Sequence, residues 1–201
     1  MSFVTSRLLL DLLAVALAGV TIKLLDDFLD YAIDLASGSP SLIDVLGSGS
    51  VVYTLIFAVF ACSINLKLTA PLMLSAYAVG MLKDPAQMLP LGLSAWMESV
   101  VVALASWSIF GWPATLVSLL LMTAVDFVDD LFDYSRDKRG LSTNLVHMIG
   151  KTQLILLSLA VIIAALIIDT RTTALVAICA PVTAVIADLI SRSYRGKAYG
   201  A

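Results

Sequence analysis

The sequence predicts an all-α protein: a polytopic transmembrane helical bundle of about seven helices, with two Asp-rich motifs at cytoplasmic helix ends. Three observations carry that expectation. The 201 residues are 60% hydrophobic and only 13% charged, against roughly a quarter charged in soluble domains, and the mean hydropathy is +1.00. The apolar residues form long runs separated by short polar breaks, the pattern of helices that cross a bilayer. Nine of the fifteen acidic residues are gathered in two short stretches of the same spacing, one of them extended by Asp126.

The apolar runs fall at 8–33, 50–65, 68–82, 86–110, 113–134, 152–168 and 172–191. A full span needs roughly 20 residues, so the second and third are short. Only Asn65-Leu66-Lys67 divides them, which leaves open a tight helical hairpin or one long kinked helix. The other breaks are Ser37 to Pro40 with Gly47 to Ser50, then Lys83-Asp84-Pro85, Gly111-Trp112-Pro113, Arg136 to Lys151, and Asp169-Thr170-Arg171. Pro85 and Pro113 are expected near helix starts, where a missing N–H costs little. Arg7 followed by Leu8 to Val20, with Ala16-Leu17-Ala18, looks like a signal peptide. Asp11 interrupts that run, and the same helix continues into the first acidic stretch, so it is expected as a retained first span. One integral membrane domain over 1–201 is expected. Cys62 and Cys179 stand singly in apolar runs and are expected to be structural. No basic run interleaved with aromatics suggests nucleic acid.

The acidic stretches repeat one word. Asp26-Asp27-Phe28-Leu29-Asp30-Tyr31-Ala32-Ile33-Asp34 returns 103 residues later as Asp129-Asp130-Leu131-Phe132-Asp133-Tyr134-Ser135-Arg136-Asp137. On a helix, residues i, i+3 and i+7 share a stripe. Asp27, Asp30 and Asp34 therefore align, as do Asp130, Asp133 and Asp137, with Asp126 one turn earlier in the second copy. Lys23 holds the place of Asp126 in the first copy, and the two are expected to approach each other. Four predicted spans separate the words, which returns the chain to the same side. Nine Lys and Arg residues lie on that side and three on the other. The positive-inside rule then makes the motif side and the C-terminus cytoplasmic and the N-terminus external, in a multi-pass protein of the inner (cytoplasmic) cell membrane. A single span over 50–82 would instead put the words on opposite sides.

Carboxylates in an apolar chain are costly and usually functional. Clustered, they need cations or raised pKa values. Oxygen donors without nearby His or Cys point to a hard ion such as Mg²⁺, which commonly bridges carboxylates to phosphates. The plain alternative is a pair of solvated helix ends.

The spacing Asp-x-x-Asp-x-x-x-Asp at both places resembles the UbiA superfamily of intramembrane prenyltransferases. The second copy carries the fuller likeness, with Asp130-Leu131-Phe132-Asp133, Asp137-Lys138-Arg139-Gly140, Thr143 and Gly150-Lys151. After the first word, Leu35-Ala36-Ser37-Gly38-Ser39-Pro40 stands where that family has basic residues, and the chain has fewer helices than the family's usual set. The resemblance implies that Asp27, Asp30, Asp34, Asp130, Asp133 and Asp137 are catalytic and, with Asp126, bind Mg²⁺. It implies a prenyl diphosphate as substrate and a lipophilic acceptor, with Lys23, Arg136, Lys138, Arg139 and Lys151 neutralising the diphosphate. Tyr31 and Tyr134 would cap it. Glu98, the sole glutamate, is expected mid-span, orienting the acceptor or hydrogen-bonding a neighbouring helix. His147 is expected to be an ordinary interfacial residue, and Asp11 and Asp188 likewise. Two other function classes fit the same residues: a cation transporter or channel lined by paired Asp stripes, and a membrane protein that binds lipid diphosphates without catalysis. An oligomer is a further possibility that the small helix count leaves open.

Overall fold

Long apolar runs satisfy their backbone groups internally only as helices, and the computed structural model describes residues 2–31, 35, 41–89, 92–134 and 145–198. All the named elements are helical. In chain order they are α1 (Ser2–Leu29), α2 (Leu42–Leu46), a 3₁₀ turn (Gly47–Gly49), α3 (Ser50–Met81), α4 (Ala95–Phe110), α5 (Trp112–Asp133), α6 (Leu145–Ile149), α7 (Lys151–Ile168) and α8 (Thr170–Ala198). Four helical stretches are long and apolar enough to cross a membrane: Thr5–Leu29, Leu42–Met81, Lys151–Ile168 and Thr170–Tyr194. The protein is thus an all-helical membrane protein.

Helix α3 is not continuous. Asn65 leaves the helical region at φ −152° and ψ 85°, so two helical segments meet there. The same event recurs between α7 and α8, where Asp169 has φ −148° and ψ 93°. At both breaks a threonine four residues on donates its hydroxyl to the carbonyl of the break residue, Thr69 to Asn65 at 2.9 Å and Thr173 to Asp169 at 2.8 Å. The two halves therefore share one local plan: a long helix ending in the acidic word, a five-residue helix, a glycine, a long helix, a one-residue break and another helix. The glycines are Gly47 at φ 56° and Gly150 at φ 92°, a conformation that L side chains rarely adopt. Helix α4 lies between the copies in the chain.

The break residues use their side chains differently. Asn65 donates its amide to Asp11 Oδ1 at 2.8 Å. Asp11 is only 5% exposed, so the bond is buried within the protein. Asp169 accepts from the Thr172 amide at 3.1 Å and the Thr172 hydroxyl at 2.6 Å, capping α8. Burial works against its charge, but these bonds, the Arg171 amide and the Arg171 charge hold its carboxyl below the usual carboxylate range. A depressed folded-state pKa stabilises above the unfolded value of about 3.9 and loses that contribution as pH falls through the folded value. Asp169→Ala is expected to lower stability by about 1 kcal/mol at neutral pH. Unfolding curves of the variant and the wild type should converge in acid.

The chain divides into two compact units, Met1–Thr69 with Leu175–Ala201, and Ala70–Ala174. In the first, Leu24, Leu42 and Ala187 form a buried cluster packed by Val20, Leu46 and Phe57. This cluster lies one turn before the first acidic word and fastens α1, α2, α3 and α8 together. A Cβ on Gly19 would lie 3.2 Å from Thr183 Oγ1, so the small residue permits close helix approach. In the second unit the main packing is α5 against α7, with α4 against α5 and α6 seated on both α5 and α7.

The fourth predicted run needs correction. Its first residues, 86–94, are not helical among the described positions. Leu89 and Leu93 pair by a 2.9 Å amide bond, Gly92 donates to Leu89, and Ala95 donates to Gln87. Pro85 lies in this turn and does not open a helix, whereas Pro113 does sit in the first turn of α5. Glu98 consequently belongs to the first turn of α4 and not to mid-span.

Candidate functional site

The first word occupies the end of α1. Asp27 is 5% exposed. Its Oδ2 accepts the backbone N–H of Leu42, the first residue of α2, at 2.7 Å, while Oδ1 lies 3.0 Å from Lys23 Nζ. The same ammonium is 3.3 Å from Asp26 Oδ2. Lys23, one helical turn earlier, thus neutralises the paired aspartates of its own helix. Asp30 continues the helical pattern, its amide donating to Asp26 at 2.9 Å, and is half-buried, as is Tyr31. Asp34 lies outside the described residues.

The second word repeats the arrangement at the end of α5. Asp130 Oδ2 accepts the backbone N–H of Leu145, the first residue of α6, at 3.0 Å. In both copies the amide lies 15 residues beyond the aspartate. The neighbouring lysine comes from elsewhere in the chain: Lys83 Nζ stands 2.9 Å from Asp126 Oδ1. Asp133 closes α5, and its backbone alone is described. Tyr134 follows and packs its ring on His147 of α6, with centroids 5.2 Å apart and planes at 53°. His147 is therefore the aromatic partner of a tyrosine in the word. Lys151 is exposed at the first position of α7. Arg136, Asp137, Lys138 and Arg139 lie outside the described residues.

Lys83 is the site residue that the sequence reading missed. It counted only toward the charge bias of the loops. The available signal was its place in the Lys83-Asp84-Pro85 turn on the same predicted side as the words. In the structure Asp126 pairs with Lys83, and Lys23 with Asp26 and Asp27.

Glu98, 8% exposed, accepts a hydrogen bond at Oε2 from the Tyr77 hydroxyl. Tyr77 belongs to the second segment of α3, so this is the helix–helix bond that was one of the two expectations for Glu98.

Among the described residues, no three Asp, Glu, His or Cys side chains gather so as to hold a metal ion. The donor chemistry of the words is nevertheless all oxygen, which suits a hard dication. Asp27 fits least well, since each of its oxygens already faces a donor. Asp30, Asp34, Asp133 and Asp137 are the other carboxylates of matching place in the two words.

Comparison with protein-family models, with curated proteins and with solved structures finds no match to this chain.

Proposed function

We propose that this protein is a Mg²⁺-dependent membrane prenyltransferase, moving a prenyl group from a prenyl diphosphate to a lipophilic acceptor. The observation that carries the reading is the duplicated carboxylate word. Each copy ends a long helix in an apolar chain, each is followed by an anchored short helix, and each has a lysine against it. Resemblance of the words to those of the UbiA superfamily supplies the substrate class.

Mg²⁺, when bound, would supply positive charge to the diphosphate. The chain's own residues do the rest. Asp30 and Asp34 would hold one dication and Asp133 and Asp137 another, with Asp126 paired to Lys83 beside the second word. Lys83, Arg136, Lys138, Arg139 and Lys151 would bind and orient the diphosphate, while Lys23 supplies positive charge at the first word. Breaking the allylic C–O bond leaves the electron pair on the diphosphate, and the carbocation is captured by the acceptor, which then loses a proton. Apolar helices exclude water that would otherwise quench the cation. No covalent nucleophile is required. The acidic words and the C-terminus are assigned to the cytoplasmic side by the charge bias of the loops.

The test is purified protein in nanodiscs with Mg²⁺ and farnesyl or geranylgeranyl diphosphate, read as diphosphate release. Binding of the diphosphate without release would indicate a lipid-diphosphate receptor. Passage of metal ions across protein-containing liposomes would indicate a transporter.

A further inference from the structure

The two acidic words share a feature that metal binding does not call for. In each, the second aspartate sends Oδ2 to a backbone N–H 15 residues downstream, and in each that N–H opens a five-residue helix. A glycine at positive φ follows directly, Gly47 in one copy and Gly150 in the other, before the next long helix begins. The first N–H groups of a helix have no partner within it, and a carboxylate there makes a charge-assisted bond and complements the helix dipole. In α2 the division of labour is visible. Ser41 Oγ accepts from Ile43 at 3.2 Å, while Asp27 takes the Leu42 N–H.

From this repeated geometry we infer that Asp27 and Asp130 are positioning residues, clasps that fix the chain leaving each acidic word, and not metal ligands. The clasp itself is independent of the proposed enzyme; the assignment of ligation to the remaining aspartates rests on that reading. A clasp needs an acceptor oxygen, and asparagine retains one. A metal ligand of this kind needs the charge, which asparagine lacks. At Asp27 the charge also faces Lys23 at 3.0 Å, so the asparagine variant removes that ion pair, leaving Lys23 on Asp26, without opening the clasp. Burial of Asp27 and of the Leu24–Leu42 contact beneath it explains why the clasp holds.

Full-length protein in nanodiscs, with the variants Asp27→Asn, Asp27→Ala, Asp130→Asn, Asp130→Ala and Asp30→Asn, separates the two roles. Amide hydrogen exchange at Leu42 and Leu145 reports the clasp, and the thermal shift on adding Mg²⁺ alone reports ligation. The alanine variants are expected to speed exchange at the matching leucine by about tenfold or more, while the asparagine variants stay near the wild-type rate. Asp27→Asn and Asp130→Asn should also keep the Mg²⁺ shift that Asp30→Asn loses. Unchanged exchange in the alanine variants overturns the clasp. Loss of the Mg²⁺ shift in both Asn variants, with Leu42 and Leu145 still protected, overturns the division between clasp and ligand. A wild type with no Mg²⁺ shift counts against the proposed function alone, and the exchange rates then decide the clasp by themselves.

Discussion

Asp30→Ala and Asp133→Ala should each abolish Mg²⁺-dependent diphosphate release, with a fall on the order of a hundredfold or more. Both residues take the third aspartate place of their word, on the stripe shared with Asp27 and Asp130. The second place is engaged with backbone in each copy, and the proposed function gives the third place to the dication. Losing one carboxylate removes both a ligand and part of the charge that attracts the ion. Secondary structure by circular dichroism should stay near wild type, because Asp30 follows the last residue of α1 and Asp133 is the last residue of α5. Asp188→Ala serves as the control: it breaks an exposed pair with Arg192 at 2.9 Å, worth about 0–1 kcal/mol, and should leave release unchanged.

The second large effect is expected at Glu98. Its carboxyl is 8% exposed and receives the Tyr77 hydroxyl. Tyr77→Phe removes the donor and leaves a buried polar group without it, a cost of roughly 1–3 kcal/mol. Glu98→Gln keeps an acceptor and should cost less. Combining Tyr77→Phe with Glu98→Leu removes both partners, and the double variant should be more stable than the sum of the single losses. Thermal unfolding in one detergent measures the wild type, the three single variants Tyr77→Phe, Glu98→Gln and Glu98→Leu, and the double variant. A turnover loss in Glu98→Gln at unchanged stability would assign the carboxyl to the acceptor as well as to the helix contact.

Much of the fold could be read from hydropathy, and the failures have specific causes. Seven apolar runs correspond to α1, the two segments of α3, α4, α5, α7 and α8. The run at 86–110 began too early because Met88, Leu89, Leu91 and Leu93 are apolar, while Pro85 and Gly92 turn the chain. A hydropathy count weighs the first group and is blind to backbone conformation. The acidic words were legible because their spacing repeats residue for residue. The breaks at Asn65 and Asp169 also stood out as polar interruptions, but their correspondence did not, because one copy uses asparagine and the other aspartate, at slightly different spacing from the words. The clasps were hidden for another reason: their donor is a backbone N–H, which has no signature in the side-chain sequence. Lys83 escaped notice because its partner Asp126 lies far along the chain, and only the folded structure brings the two charges together.

Catalytic use of the duplicated words is tested most directly by diphosphate release from geranylgeranyl diphosphate in nanodiscs, with and without Mg²⁺. The account predicts release that requires Mg²⁺ and disappears in Asp30→Ala and Asp133→Ala, with both variants still folded. Release that persists in those variants, or its absence from a folded wild type that instead passes Mg²⁺ across liposomes, would contradict it.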